Sequence, residues 1–152
     1  MVDAIERGDG ASAGRRSNAM RIVHRYVLIS AAAGAVPVPV LDIAALGAVH
    51  VALIKEITEH YGAEFSEHAA RNILVAIGAS LIPGSIGSVV ARKILRALPF
   101  VTPGLGLAAM SASSAAVSYA LGTIFVRHFE SGGTLDSFKV ENLHRLVGWQ
   151  QA

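Results

Sequence analysis

His60, Glu64 and His68 recur every four residues, the spacing that stacks metal ligands on one face of a helix. Gly62 stands between the first two, and a glycine there ends a helix more readily than it continues one. The three side chains are therefore expected as solvated loop residues, with no metal bound. Gly104-Leu-Gly106-Leu-Ala-Ala echoes part of a dinucleotide fingerprint, but no strand precedes it and no acidic residue follows at the right distance. No GxxxxGK[ST] loop occurs, so the chain is not by itself a P-loop NTPase. Ser111, Ser113 and Ser114 have no placed His and Asp partners for nucleophilic chemistry. No catalytic residue and no cofactor is expected, and the chain is read as a non-enzyme.

Two ionisable groups remain inside apolar sequence, Asp42 and His50. Such groups are often functional in a membrane, which makes a small channel or transporter one alternative reading. For Asp42 a simpler role is at hand. It follows Val36-Pro37-Val38-Pro39, where Pro37 and Pro39 lack N–H groups and disfavour helix in the residue before each. A helix starting there would use the Asp42 carboxylate as an N-cap or first-turn anion. Pro37, Pro39 and Asp42 are thus read as the tip of a helical hairpin and the cap of its second arm.

The first arm covers about Ile22 to Ala35, and the second runs from Asp42 to Tyr61. Leu46, Val49, Leu53, Ile57 and Tyr61 form a helical stripe on the second arm. Lys55, Glu56 and Glu59 then mark its emergence into water, and Gly62 fits the position after its end. Ser66 is a candidate N-cap for a third helix, with Glu67 and Arg71 as an i,i+4 pair. Asn72 to Ala91 carries no charge and is broken at Pro83-Gly84-Ser85. A further helix is expected over Ile86–Leu98, with Arg92, Lys93 and Arg96 on one side and Pro99 as its stop.

Thr102-Pro103 begins a charge-free stretch to Val126, long enough as a helix to cross a hydrocarbon core of about 30 Å. It contains two small-residue rows, Ala112-Ala116-Ala120 and Ser114-Ser118-Gly122. Such rows permit close helix approach in membranes, so a homo-oligomer formed through them is expected. Arg127, His128 and Glu130 end the stretch, and Ser131-Gly132-Gly133 is a loop. An amphipathic tail follows over Asp136–Val147, with Phe138, Leu143, Leu146 and Val147 inward, and then Trp149.

Composition agrees with an apolar environment. Of 152 residues, 53% are hydrophobic before glycine is counted and only 16% are charged. Ordinary domains are about 25% charged. Cysteine is absent, which removes disulfide and thiolate chemistry. A net charge of +2 without a concentrated basic face, and 6% aromatics, argue against nucleic acid as a partner. Asp3, Glu6 and Asp9 occupy the place of a basic signal-peptide start, so no secretory signal is expected. Arg15, Arg16, Arg21 and Arg25 precede the first arm and are candidate contacts to lipid headgroups.

Charges therefore gather at 1–25, 55–71, 92–96 and 127–145, and the proline tips fall between them. Each arm is about 12–15 residues, roughly 18–22 Å of helix, and so too short to span. The expected fold is an all-α, membrane-associated bundle of helical hairpins, re-entrant or partly spanning. A flexible tail is expected over 1–20, a single helical domain over 21–148 and a short end at 149–152. A soluble all-α interaction protein with concealed apolar hairpins is the other alternative.

The tip Ala35-Val36-Pro37-Val38-Pro39 with Asp42, the Tyr61-Gly62 end, Ala120-Leu121-Gly122, Phe129-Glu130 and Gly132-Gly133 together resemble the YcjF-type membrane-associated domain. That domain also occurs fused behind Era-like and dynamin-like GTPases. The resemblance covers roughly residues 20–147. It implies an all-α, membrane-associated module without known catalysis, sometimes coupled to a GTPase; any such partner of this chain would act in trans. The alternation of charge clusters and proline tips leads to the expectation of hairpins inserted from the cytoplasmic side, at the bacterial inner membrane, that anchor, scaffold or remodel membrane.

Overall fold

The computed structural model describes residues 2–35, 39–80 and 106–140, with side chains described over 10–35, 45–79 and 111–140. Four helices account for most of these residues: α1 (Val2–Ala33), α2 (Pro39–His60), α3 (Glu67–Ser80) and α4 (Gly106–Glu130). No strand occurs among the described residues. The described residues adopt the all-α class expected from the sequence.

Each described helix end follows from a few neighbouring residues. At the end of α2, Gly62 takes φ +72°, its N–H donates to the Glu59 carbonyl (3.0 Å), and Ala63 N–H donates to Thr58 (3.0 Å). This paired 5→2 and 6→1 arrangement satisfies carbonyls that the helix leaves open. The end of α4 repeats it: Gly132 has φ +81°, with Gly132 N–H on Phe129 and Gly133 N–H on His128, both 3.0 Å. At the start of α3 the Ser66 hydroxyl accepts from Ala69 N–H at 3.2 Å, and Arg71 grips Glu67 at 2.7 and 3.0 Å. All three of these ends were expected from the residue types.

The cross-chain contacts set the topology. Arg16 meets Glu130, Val23 faces Gly122 and Ser30 meets Ser118, so α1 and α4 are antiparallel. Arg25 meets Glu56 and the Arg15 carbonyl accepts from His60, so α1 and α2 are also antiparallel. His50 meets Ser118 and Tyr61 stacks on Phe129, which makes α2 parallel to α4. The core lies between these three helices and the turn after α4. Ala19, Val23, Leu53, Ile54, Ile57, Phe125 and Val126 are all but fully buried. Phe125 stacks on Phe138 at 4.8 Å between ring centroids. α3 adds Ala70 and Ile73 from the side of α2.

Several expectations change. Residues 2–20 are not a loose tail but the first turns of α1, anchored where Ala19 enters the core and His60 reaches the Arg15 carbonyl. Their Gly, Ala and Ser content obscured this, because tertiary contacts outweigh weak local propensity. α2 begins at Pro39, three residues before Asp42, and proline is well suited to a first helical position. Asp42 is therefore a first-turn residue rather than the N-cap. No helix among the described residues is long and apolar enough to cross a membrane, so the full span expected after Pro103 is not found there. Phe138 packs inward as expected of the tail, and Leu135 just before it is buried as well. Pro37, the Pro83 tip, the Ile86–Leu98 helix with Arg92, Lys93 and Arg96, the Thr102-Pro103 start, and Leu143 through Trp149 lie outside the described residues.

Candidate membrane-binding end of the bundle

Because α1 is antiparallel to α2 and α4, charges far apart in the sequence, near residues 15–16, 59–60 and 127–130, meet at one end of the described bundle. Arg15, Arg16, Glu59, His60, Arg127 and Glu130 all belong to this polar end, whereas Tyr26–Ala33, Ile43–Ile54 and Ala112–Val126 contribute no acidic or basic residue but His50. The apolar half is not closed on itself. Leu28 is 71% exposed and Val75 also 71%, with Val117, Tyr119 and Ile29 between 42% and 50%. Soluble surfaces carry single apolar residues routinely. Here four of them, Leu28 and Ile29 on α1 and Val117 and Tyr119 on α4, lie in stretches that carry no charge.

The four arginines have different surroundings. Arg16 approaches Glu130 at 3.7 Å, linking α1 to α4. Arg15 and Arg16 line a cavity of about 440 Å³ with Ser12, Ala13, Tyr61, Phe129 and Glu130. Tyr61 donates toward Glu130 (3.4 Å), and burial followed by the Glu130 charge pushes its phenol up to about 12. Arg25 pairs with Glu56 on α2, and that hydrogen bond holds its guanidinium above the ordinary value. Arg21 donates to the neutral amide of Asn18 on its own helix. Sequence proximity had grouped these four as equivalent headgroup contacts; the fold separates them into an aqueous clasp (Arg15, Arg16), an interhelical pair (Arg25) and an outward cation (Arg21).

The apolar half also contains a polar junction that spacing did not disclose. The Ser30 and Ser118 hydroxyls are 2.5 Å apart, and His50 Nε2 is 2.9 Å from Ser118 Oγ. One residue comes from each of α1, α2 and α4. Burial holds the His50 imidazole below its ordinary value, which favours the neutral ring. Polar groups in such surroundings are costly unless paired, so the junction satisfies these groups and fixes how the three helices register. The side chain of Asp42 lies outside the described residues, so the pairing of Asp42 with His50 behind the channel alternative has no described geometry.

Ser118 and Gly122 are buried against α1. A Cβ on Gly122 would come within 2.7 Å of both Val23 γ-carbons. The Ser114-Ser118-Gly122 row expected to join two copies is therefore used within one chain at Ser118 and Gly122. Ala112 on the other row is exposed. His60, Glu64 and His68 fall on α2, a loop and α3, and no group of three metal-binding side chains occurs among the described residues. His128, expected only as part of a charged end, is buried under Gly133, its Nε2 2.8 Å from the Thr134 carbonyl.

Residues 9–148 match the family model described as a domain of unknown function, DUF697. The chain belongs to the DUF697 family. It is 35% identical over 124 residues to magnetosome membrane protein 22 of Magnetospirillum gryphiswaldense, a match covering 82% of this chain and 64% of that relative. The chain thus spans less than two thirds of the relative's length. No solved structure matches it. This DUF697 chain, all-helical over its described residues, thus has a relative named as a membrane protein.

Proposed function

We propose that this DUF697 chain is a non-enzymatic helical module that rests on one face of a membrane and dips the apolar end of its bundle into it without crossing. The carrying observation is the convergence of charge at one end, with Leu28, Ile29, Val117 and Tyr119 exposed in the charge-free stretches of α1 and α4. Helix interiors satisfy their own backbone polar groups, so the apolar flanks of α1 and α4 can meet hydrocarbon, whereas the helix ends carry open N–H and C=O groups. The membrane name of the magnetosome relative supports this reading. Anchoring or scaffolding at the bacterial inner membrane with a cytoplasmic polar end, self-association through surfaces other than the Ser118-Gly122 row, and a GTPase partner of the kind implied by the YcjF-type resemblance complete the proposal.

Vesicle flotation and carbonate washing test it. The full chain is expected to float with liposomes and to stay in the pellet after carbonate. Its release into the supernatant, or a monodisperse species purified without detergent that ignores vesicles, would favour the soluble interaction protein instead. Leu28→Asp removes roughly 1–2 kcal/mol of apolar transfer from a residue already outside the core, so vesicle affinity should fall about tenfold with the helical content unchanged.

A further inference from the structure

Arg21, His24 and Leu28 follow one another at three- and four-residue intervals, so they form one stripe on α1. All three are exposed, on the side of the helix away from Ala19, Val23 and Ser30 in the core. Along this stripe a cation stands above an imidazole and then an apolar side chain. His24 stacks on exposed Tyr119 of α4 at 6.1 Å between ring centroids, which adds an aromatic group at the same place. Cation, aromatic group and apolar residue in this order match the order of phosphate, interface and hydrocarbon at a bilayer surface.

We infer that this stripe is an anionic-phospholipid contact, with Leu28 entering the hydrocarbon edge and the Arg21 guanidinium taking a lipid phosphate. The inference rests on the membrane reading above and adds the lipid class, the residue that selects it and the depth of immersion. Arg21 is seven residues from Leu28, about 10 Å along the helix; its guanidinium turns the other way, to Asn18, and release of that contact lets the long side chain swing toward Leu28 and close part of the distance. The headgroup layer on each side of a bilayer is about 5–8 Å thick, so Arg21 reaches it. Arg15 is thirteen residues from Leu28, about 20 Å, and lies beyond that layer. Arg16 is clasped to Glu130 and Arg25 to Glu56, so their charges are largely cancelled within the protein. Among the described residues Arg21 pairs with no carboxylate and donates to the neutral amide of Asn18, which leaves its positive charge available to an anion.

The test is partitioning of the full chain onto vesicles of phosphatidylcholine alone and of phosphatidylcholine mixed with phosphatidylglycerol. Arg21→Gln should weaken binding to the mixed vesicles about fivefold, leave binding to the neutral vesicles unchanged, and be rescued by Arg21→Lys. Arg15→Gln should change neither, and added salt should erase the difference between wild type and Arg21→Gln. Equal losses for Arg15→Gln and Arg21→Gln, or no preference of the wild type for phosphatidylglycerol, overturn the assignment while the membrane reading stands. Failure of the wild type to bind either vesicle overturns both.

Discussion

Gly122→Ala is a sharp test of how α1 and α4 meet. In a helix interior this change normally helps, by roughly 0.5–1 kcal/mol, because alanine loses less backbone freedom on folding. At Gly122 the new methyl would lie 2.7 Å from both γ-carbons of Val23, a residue that is itself fully buried. Neither side can move away without shifting a helix. Overpacking of this kind costs about 1–3 kcal/mol. The difference is a net loss of about 1–2 kcal/mol, or a Tm lowered by roughly 2–8 °C for a chain of this size. Urea unfolding followed by far-ultraviolet circular dichroism, under one set of solution conditions, measures it. Gly78→Ala is the control, since a Cβ there meets nothing within 4 Å, and it should stabilise. Val23→Ala combined with Gly122→Ala should cost less than the two single changes added together, because each makes room for the other. If Gly122→Ala stabilises as much as Gly78→Ala, the close approach of the two helices is wrong, and with it the burial of the Ser118-Gly122 row inside one chain.

Further outcomes follow from the same contacts. Ser118→Ala leaves the Ser30 hydroxyl and His50 Nε2 without the partner they share, so it should cost about 1–3 kcal/mol in chemical unfolding, and Ser30→Ala in that background should add little. Gly62→Ala should cost about 1–2 kcal/mol through backbone strain alone, since φ is +72° and a Cβ meets nothing within 4 Å; thermal unfolding of Gly62→Ala and Gly62→Asn would show the asparagine as the milder change. The His50 pKa is depressed below 6.5 in the folded chain, so unfolding takes up a proton as pH falls. Stability from this group is complete above about pH 6.5 and is lost below it, and unfolding free energy against pH should flatten in His50→Gln. Tyr61 has the opposite sign: its pKa is raised from 10.0 to about 12, so its contribution is complete below pH 10 and lost as pH rises toward 12. Ultraviolet titration should show the phenol ionising earlier in Glu130→Gln.

The residue types alone announced the helix ends at Gly62 and Gly132, the cap at Ser66, the Glu67–Arg71 pair and the stripe through Leu53 and Ile57. Each of these depends on residues within a few positions of one another, where hydrogen-bond geometry and helical period act directly. The alternation of charged and apolar stretches was equally plain, and it carried the membrane reading. Residues 2–20 were misjudged because their propensity is weak and their anchoring comes from α2 and the core. The tertiary structure decided what joins across the chain. Ser30 and Ser118 are 88 residues apart, His50 and Ser118 are 68, and Arg25 and Glu56 are 31. No local spacing encodes such meetings, since they depend on how whole helices align. That alignment turned four similar arginines into groups with separate roles, and spent the most suggestive pair of small residues, Ser118 and Gly122, on an internal contact. It also brought the described charges near 15–16, 59–60 and 127–130 to one end, because α1 runs antiparallel to α2 and α4.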